Sequence, residues 1–143
     1  MSDAIRPLAL AVVWREHEIL VFEGYDSVKA EHFYRPLGGG IEFGERAEAA
    51  VARELREETG SDVRVGRLLG VLENLFTFEG QPGHEVVFVF EVELEDRSLY
   101  EHDELAILDG VDGQEVVRAL WVDPSRLDAP LYPDGLAALL EAP

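Results

Sequence analysis

The chain contains no cysteine and one methionine, and it is poor in cations. Twelve Lys and Arg face thirty Asp and Glu, a formal net charge of −18 with the four His neutral. The absence of cysteine excludes disulfides and thiolate metal sites and suits a reducing cytoplasm. The shortage of cations argues against sequence-independent binding of DNA, RNA or anionic lipid, where basic patches do the holding. No apolar run approaches the roughly 18–20 residues of a membrane span. Residues 1–7, MSDAIRP, lack the basic stretch and apolar core of a signal peptide. The expectation is a cytoplasmic protein with no nucleic-acid or membrane partner. With 143 residues, 47% of them hydrophobic, and no repeat or Pro/Gly/Ser linker, residues 1–143 are expected to fold as one domain. A polyanionic substrate would approach such a surface only with cations in between.

The apolar runs Leu8 to Trp14 and Ile19 to Phe22, separated by Arg15-Glu16-His17-Glu18, predict a β-hairpin. Gly24 to His32 is polar and loop-like. Three glycines in Pro36-Leu37-Gly38-Gly39-Gly40 argue against regular structure and permit positive φ. Glu45 to Thr59 is rich in Ala, Glu, Arg and Leu and predicts a helix ended by Gly60. Strands are expected at Val63 to Leu75, His84 to Leu94 and Val116 to Val122. Between the last two, Asp96 to Gln114 reads as a long acidic loop, and Gly135 to Leu140 as part of a C-terminal helix. Strands interleaved with two helices point to a layered α/β domain.

The carboxylates of the first helix are placed unusually. With Glu54 at zero on a wheel of about 100° per residue, Glu58 falls at about +40° and Glu57 at about −60°. Ala47, Ala50 and Val51 fall in the same sector, so three carboxylates continue the apolar stripe instead of opposing it. Clustered there, they repel one another and resist desolvation unless cations or donors compensate. Hard divalent ions with oxygen ligands suit them. A solvated helix end paired with Arg53 and Arg56 is the plainer reading, although glutamates at a helix C-terminus oppose its dipole.

The full pattern is Gly39-x5-Glu45-x7-Arg53-Glu54-Leu55-x-Glu57-Glu58-x-Gly60. It resembles the Nudix box of the Nudix hydrolases at every charged position. Two places depart from it. Ser61 stands where a bulky aliphatic residue is usual, and Pro36-Leu37 precedes the glycines in place of the usual Pro-Gly-Gly entry. The resemblance implies an α/β fold, an α/β/α sandwich around a mixed β-sheet with the box as loop–helix–loop. It implies Mg²⁺ or Mn²⁺ held by Glu54, Glu57, Glu58 and the Gly39 carbonyl, with Arg53 and Glu45 positioning those carboxylates. The implied reaction is attack of water on a diphosphate linkage, catalysed through Glu54, Glu57 and Glu58. The implied partners are a small-molecule nucleotide and a second copy in a homodimer.

For the general base, Glu115 at the start of the last strand is the first candidate, with Glu101, Glu104 and Glu85 as rivals. Tyr34 and Arg35 before the glycines and Phe78 beyond the box are candidates for substrate binding. Neither the proline that marks ADP-ribose subfamilies nor the tyrosine that marks dinucleoside polyphosphate subfamilies is present; Phe76-Thr77-Phe78-Glu79 stands there. What the resemblance implies as substrate is a nucleoside diphosphate linked to another moiety: a nucleotide sugar, ADP-ribose, a dinucleoside polyphosphate or a nucleoside triphosphate. A non-catalytic nucleotide-sensing or regulatory module is the alternative. A prenyl diphosphate isomerase on the same fold would need the cysteine this chain lacks. His17, His32, His84 and His102 show no metal-ligand spacing.

Overall fold

The computed structural model describes residues 3–109 and 115–141, with only the backbone of Asp109 and Glu115. Eight strands share one sheet: β1 (Arg6–Val12), β2 (Trp14–Arg15), β3 (Glu18–Asp26), β4 (Glu31–Gly40), β5 (Val63–Phe78), β6 (Gln81–Leu94), β7 (Glu104–Asp109) and β8 (Glu115–Val122). The order is β5-β6-β1-β4-β3-β8-β7, with β2 paired to β3. Among the described strands, β1 and β6 run parallel to each other and the other pairs are antiparallel. Helix α1 (Ala47–Thr59) and helix α2 (Leu136–Glu141) pack on opposite faces, which gives the mixed α/β/α sandwich.

The central strand β1 is apolar because both of its faces are covered. Leu8 and Leu10 point to one core with Val87, Val89 and Leu136, while Ala9 and Ala11 point to the other with Leu55 and Phe90. Each buried aliphatic side chain of this kind contributes roughly 1.5–3 kcal/mol. On α1 the buried residues are Ala50, Val51, Leu55 and Glu58, one face with a carboxylate at its end. Gly60 closes the helix in the left-handed region, its N–H donating to the Arg56 carbonyl at 2.9 Å.

Three expectations from sequence need correction. Gly24 to His32 is not all loop, because β3 continues to Asp26 and β4 begins at Glu31; these strand ends line a cleft, so polar residues occupy them. The glycine run is strand, Gly38, Gly39 and Gly40 pairing with Leu10, Ala9 and Leu8. Between Asp96 and Gln114 the structure has a 3₁₀ turn over Arg97–Glu101 and strand β7, whose Leu105 and Ile107 reach the core. Ser61 fills the aliphatic position of the box differently. Buried, it donates from Oγ to the Asp62 carbonyl and accepts from the Asp96 amide at 3.0 Å, tying the end of the box to the acidic connection.

Candidate active site

Strand β4 carries the site. Its first half, residues 31–36, pairs with β3, and its last four residues pair with β1. Helix α1 lies over those last residues at close range. A Cβ built on Gly39 would stand 2.5 Å from the Glu54 carboxyl carbon, so only glycine admits Glu54 there. Gly38, at φ +145°, donates its amide to Glu58 Oε1 at 3.1 Å. Glu54 and Glu58 therefore face the glycines, Glu58 being buried; Glu57, which the wheel set in the same inward sector, instead has its side chain 59% exposed.

Arg53 organises the acids around it. Its Nε and Nη2 donate to the two oxygens of Glu45 at 2.8 and 2.9 Å, and Nη2 also reaches the Gly40 carbonyl at 2.9 Å. Its Nη1 donates to Glu54 at 3.0 Å and Glu57 at 3.4 Å. The fork on Glu45, helped by the Glu42 amide, holds that carboxyl down at about 2. Hydrogen bonding to Glu45 in turn raises the already high pKa of Arg53, against the opposing effect of burial. Of the two residues that the resemblance assigned to positioning, Arg53 thus bonds Glu54, Glu57 and the Gly40 carbonyl, and Glu45 bonds Arg53 and the Glu42 amide.

The donor chemistry fits a hard divalent cation: Glu54 and Glu58 against a glycine cradle, with Glu57 one turn away. Among the described residues, no three His, Cys, Asp or Glu side chains form a ready cation cage. Arg53 instead supplies positive charge to Glu54 and Glu57.

A cleft of about 470 Å³ lies against the first half of β4, with Phe33 and Arg35 in its wall. Its walls include Arg6, Phe33, Arg35, Phe78, Glu85 and Tyr132. Arg6 links the two regions, its Nη2 lying 3.7 Å from a Cβ position on Gly40. Phe33 meets Phe78 edge-on at 5.9 Å between centroids and Tyr132 at 5.6 Å. The cleft is clasped at the turn joining β3 and β4. Asp26 accepts from the amides of Val28, Lys29 and Glu79, and Ser27 donates to Glu79 through its amide and hydroxyl. Burial pushes the Asp26 carboxyl up, but the Lys29, Glu79 and Val28 amides outweigh it and the net shift is downward. A second, more open hollow of about 600 Å³ is lined by the loop before α1 and its first turn, with Val65 of β5.

Arg35 and Phe78 line this cleft, and Tyr34 does not. One residue along a strand turns the side chain to the other face. Tyr34 is buried in the core, its hydroxyl donating to Asp128 at 2.8 Å, a bond that with burial pushes its pKa up to about 12. The rival bases separate as well. Glu104 pairs with Arg118 at 2.7 Å, Glu101 is exposed, and Glu85 is buried in the cleft wall. Glu115 begins β8 opposite Asp109, and its side chain lies outside the described residues. Arg6, Asn74 and Tyr132 were not singled out from sequence. They come from three distant segments, and no local pattern joins them.

A mixed sheet lies between two helices, and a loop–helix–loop presents carboxylates to the glycines at the end of β4. The model of the NUDIX domain matches residues 4–141, and the chain belongs to the Nudix family. Solved structures share the fold. The MutT NUDIX hydrolase from Burkholderia pseudomallei is 22% identical with a TM-score of 0.62, covering 99% of this chain and 100% of that one. The MutT protein from Methanosarcina mazei Go1 is 17% identical with a TM-score of 0.64, over 99% and 94%. An ADP-ribose pyrophosphatase from Streptococcus suis 89-1591 is 18% identical with a TM-score of 0.61, over 96% and 87%.

Proposed function

We propose that this chain is a metal-dependent pyrophosphohydrolase acting on a nucleoside diphosphate linked to another moiety. The observation that carries the proposal is the seating of Glu54 and Glu58 on Gly38–Gly39 beside an aromatic-walled cleft. Glu54, Glu57, Glu58 and the Gly39 carbonyl would hold Mg²⁺ or Mn²⁺. When bound, the cation neutralises diphosphate charge and acts as a Lewis acid. The chain's own residues do the rest. Arg53, fixed by Glu45, keeps Glu54 and Glu57 aligned. Phe33 and Phe78 offer faces on which a base stacks, and Arg35 contacts the substrate. Glu115, at the start of β8, is the candidate for taking the proton from the attacking water.

The cation requirement resolves the problem posed by a net charge of −18, since the substrate arrives with its charge already compensated. The family tie and the name of one similar structure, an ADP-ribose pyrophosphatase, support the same substrate class. One observation favours a second reading, a nucleotide-binding module without turnover: Arg53 already satisfies Glu54 and Glu57. A phosphate-release panel separates the two. It covers nucleotide sugars, ADP-ribose, nucleoside triphosphates and dinucleoside polyphosphates, each with Mg²⁺ and with Mn²⁺. Metal-dependent turnover of at least one is expected, and none with either metal would leave the binding module.

A further inference from the structure

Arg35 is held by the protein through one nitrogen. Its Nη2 donates to Glu85 Oε1 at 2.9 Å, while Nε and Nη1 have no protein partner among the described residues. A guanidinium that serves only to bind a carboxylate commonly grips it with two nitrogens. Here the fork is left open toward the cleft, with the side chain 21% exposed. Glu85 is the reason for this geometry. The carboxylate is 2% exposed, also accepts from Asn74 Nδ2 at 3.3 Å, and has Arg6 Nη1 3.9 Å from its other oxygen. Two cations therefore flank one buried anion, a local surplus of one positive charge in a strongly acidic protein. Arg6 stands next to Gly40, on the seam between the cleft and the carboxylates.

The opposite end of the cleft has the reverse polarity. Asp26, Glu31 and Asp134 line it, the first tied to three backbone amides and the second accepting from the Tyr132 hydroxyl at 3.0 Å. Lys29, 4.0 Å from Asp26, offsets part of that charge. An anionic group entering the cleft is thus repelled from the clasp and drawn to the Gly40 end. A planar fork with free N–H groups matches the oxygens of a phosphate.

We propose that Arg35 and Arg6, set by the buried Glu85, form a phosphate-binding pair for the cleft-side phosphate of the substrate, and that they hold a nucleoside monophosphate without any divalent cation. Arg35 makes the contact; Glu85 is a positioning residue, fixing which of its nitrogens stay free. The inference rests on the proposed function only for the nucleoside attached to the phosphate, since the pair itself selects a phosphate monoester.

Calorimetric titration of the whole chain in EDTA tests it, with AMP, GMP, CMP, UMP, their nucleosides and inorganic phosphate as probes. At least one monophosphate is expected to bind about tenfold or more tighter than its nucleoside. Arg35→Gln should abolish that preference, Arg6→Gln should weaken it, and Glu54→Gln should leave it intact. Because Arg35→Gln alone strands a buried carboxylate, the double variant Arg35→Gln/Glu85→Gln is titrated too, with its melting temperature as a check on folding. The proposal is overturned by equal binding of nucleoside and nucleotide, which is also what an arginine reading a guanine edge would produce. A phosphate preference that survives in the double variant, or no monophosphate binding in EDTA, overturns it as well. Hydrolysis of the panel substrates alongside failed EDTA binding would sink the pair and leave the enzyme; EDTA binding without turnover would do the reverse.

Discussion

Arg53 and Arg35 are buried to nearly the same extent, with side chains 24% and 21% exposed, yet they are used in opposite ways. Arg53 has all three nitrogens bonded within the protein, to Glu45, Glu54, Glu57 and the Gly40 carbonyl. Arg35 has one nitrogen on Glu85 and the rest facing a cavity. A saturated guanidinium is a frame: it fixes where carboxylates stand and has little left for a ligand. An open one is a reader, anchored enough to be rigid and free enough to bind. The lesson is that the state of the donors, more than burial or charge, separates holding from recognising.

The sharpest test on the frame side is Glu58→Gln. The amide oxygen still accepts from the Gly38 N–H, so the fold should persist, but the charge proposed to hold a cation is gone. Turnover is expected to fall by about a hundredfold or more, with the circular dichroism spectrum unchanged; a fully active variant would break the metal assignment. Next comes Gly39→Ala, whose methyl group would meet Glu54 at 2.5 Å. A loss of about tenfold to a hundredfold in kcat is expected, in the range seen when groups supporting metal ligands are disturbed. Activity within twofold of the parent would show that the cradle is not needed.

On the reader side, Phe78→Ala should raise KM about tenfold with kcat little changed, as loss of a stacking face for a base would do; equal loss of both would argue against stacking. A smaller effect is a matter of pH. Arg53 holds the Glu45 carboxyl at about 2, below its ordinary value near 4.5. Its folded-state pKa is depressed, so its contribution to stability is complete above the unfolded value and disappears as pH falls toward 2. The gap in melting temperature between the parent and Glu45→Gln should therefore be largest near neutrality and shrink from about pH 4.5 downward. A gap that does not change with pH would show that the fork contributes through packing alone. Smallest of all, Tyr34→Phe should cost about 1 kcal/mol of stability through the bond to Asp128, with KM unaltered. A raised KM would return Tyr34 to the substrate.

The frame could be seen in the sequence and the reader only in part: Arg35 and Phe78 stand out there as candidates, whereas Arg6, Asn74 and Tyr132 do not. Fixed spacing within a single helix puts Glu54 and Glu58 on one side of α1, and the glycines lie a short loop away, so a one-dimensional pattern suffices. The cleft is assembled from the chain start at Arg6, the β3–β4 turn, the β5–β6 hairpin and the segment around Tyr132, which only the sheet order brings together. The polar groups there sit at strand ends that read as loop. Tyr34 and Arg35 show the limit most clearly, because adjacent strand residues have opposite fates and the face is decided by pairing partners. One signal was present in the sequence: Glu85 is a carboxylate opening an apolar strand, and its burial beside two arginines explains why it stands there. Strand β7 was hidden for another reason, since its core residues Leu105 and Ile107 lie within a strongly acidic stretch.

The double pairing of β4 has a consequence for how this molecule can change. Residues 31–36 answer to β3 and residues 37–40 to β1, so one continuous strand carries two independent addresses. Substitutions in the first half can retune what enters the cleft while the second half keeps the carboxylates seated. A single deletion between Arg35 and Gly39 has the opposite effect. It would shift one half out of register by a residue, exchange inward for outward side chains, and disconnect the cleft from the seated carboxylates in one step.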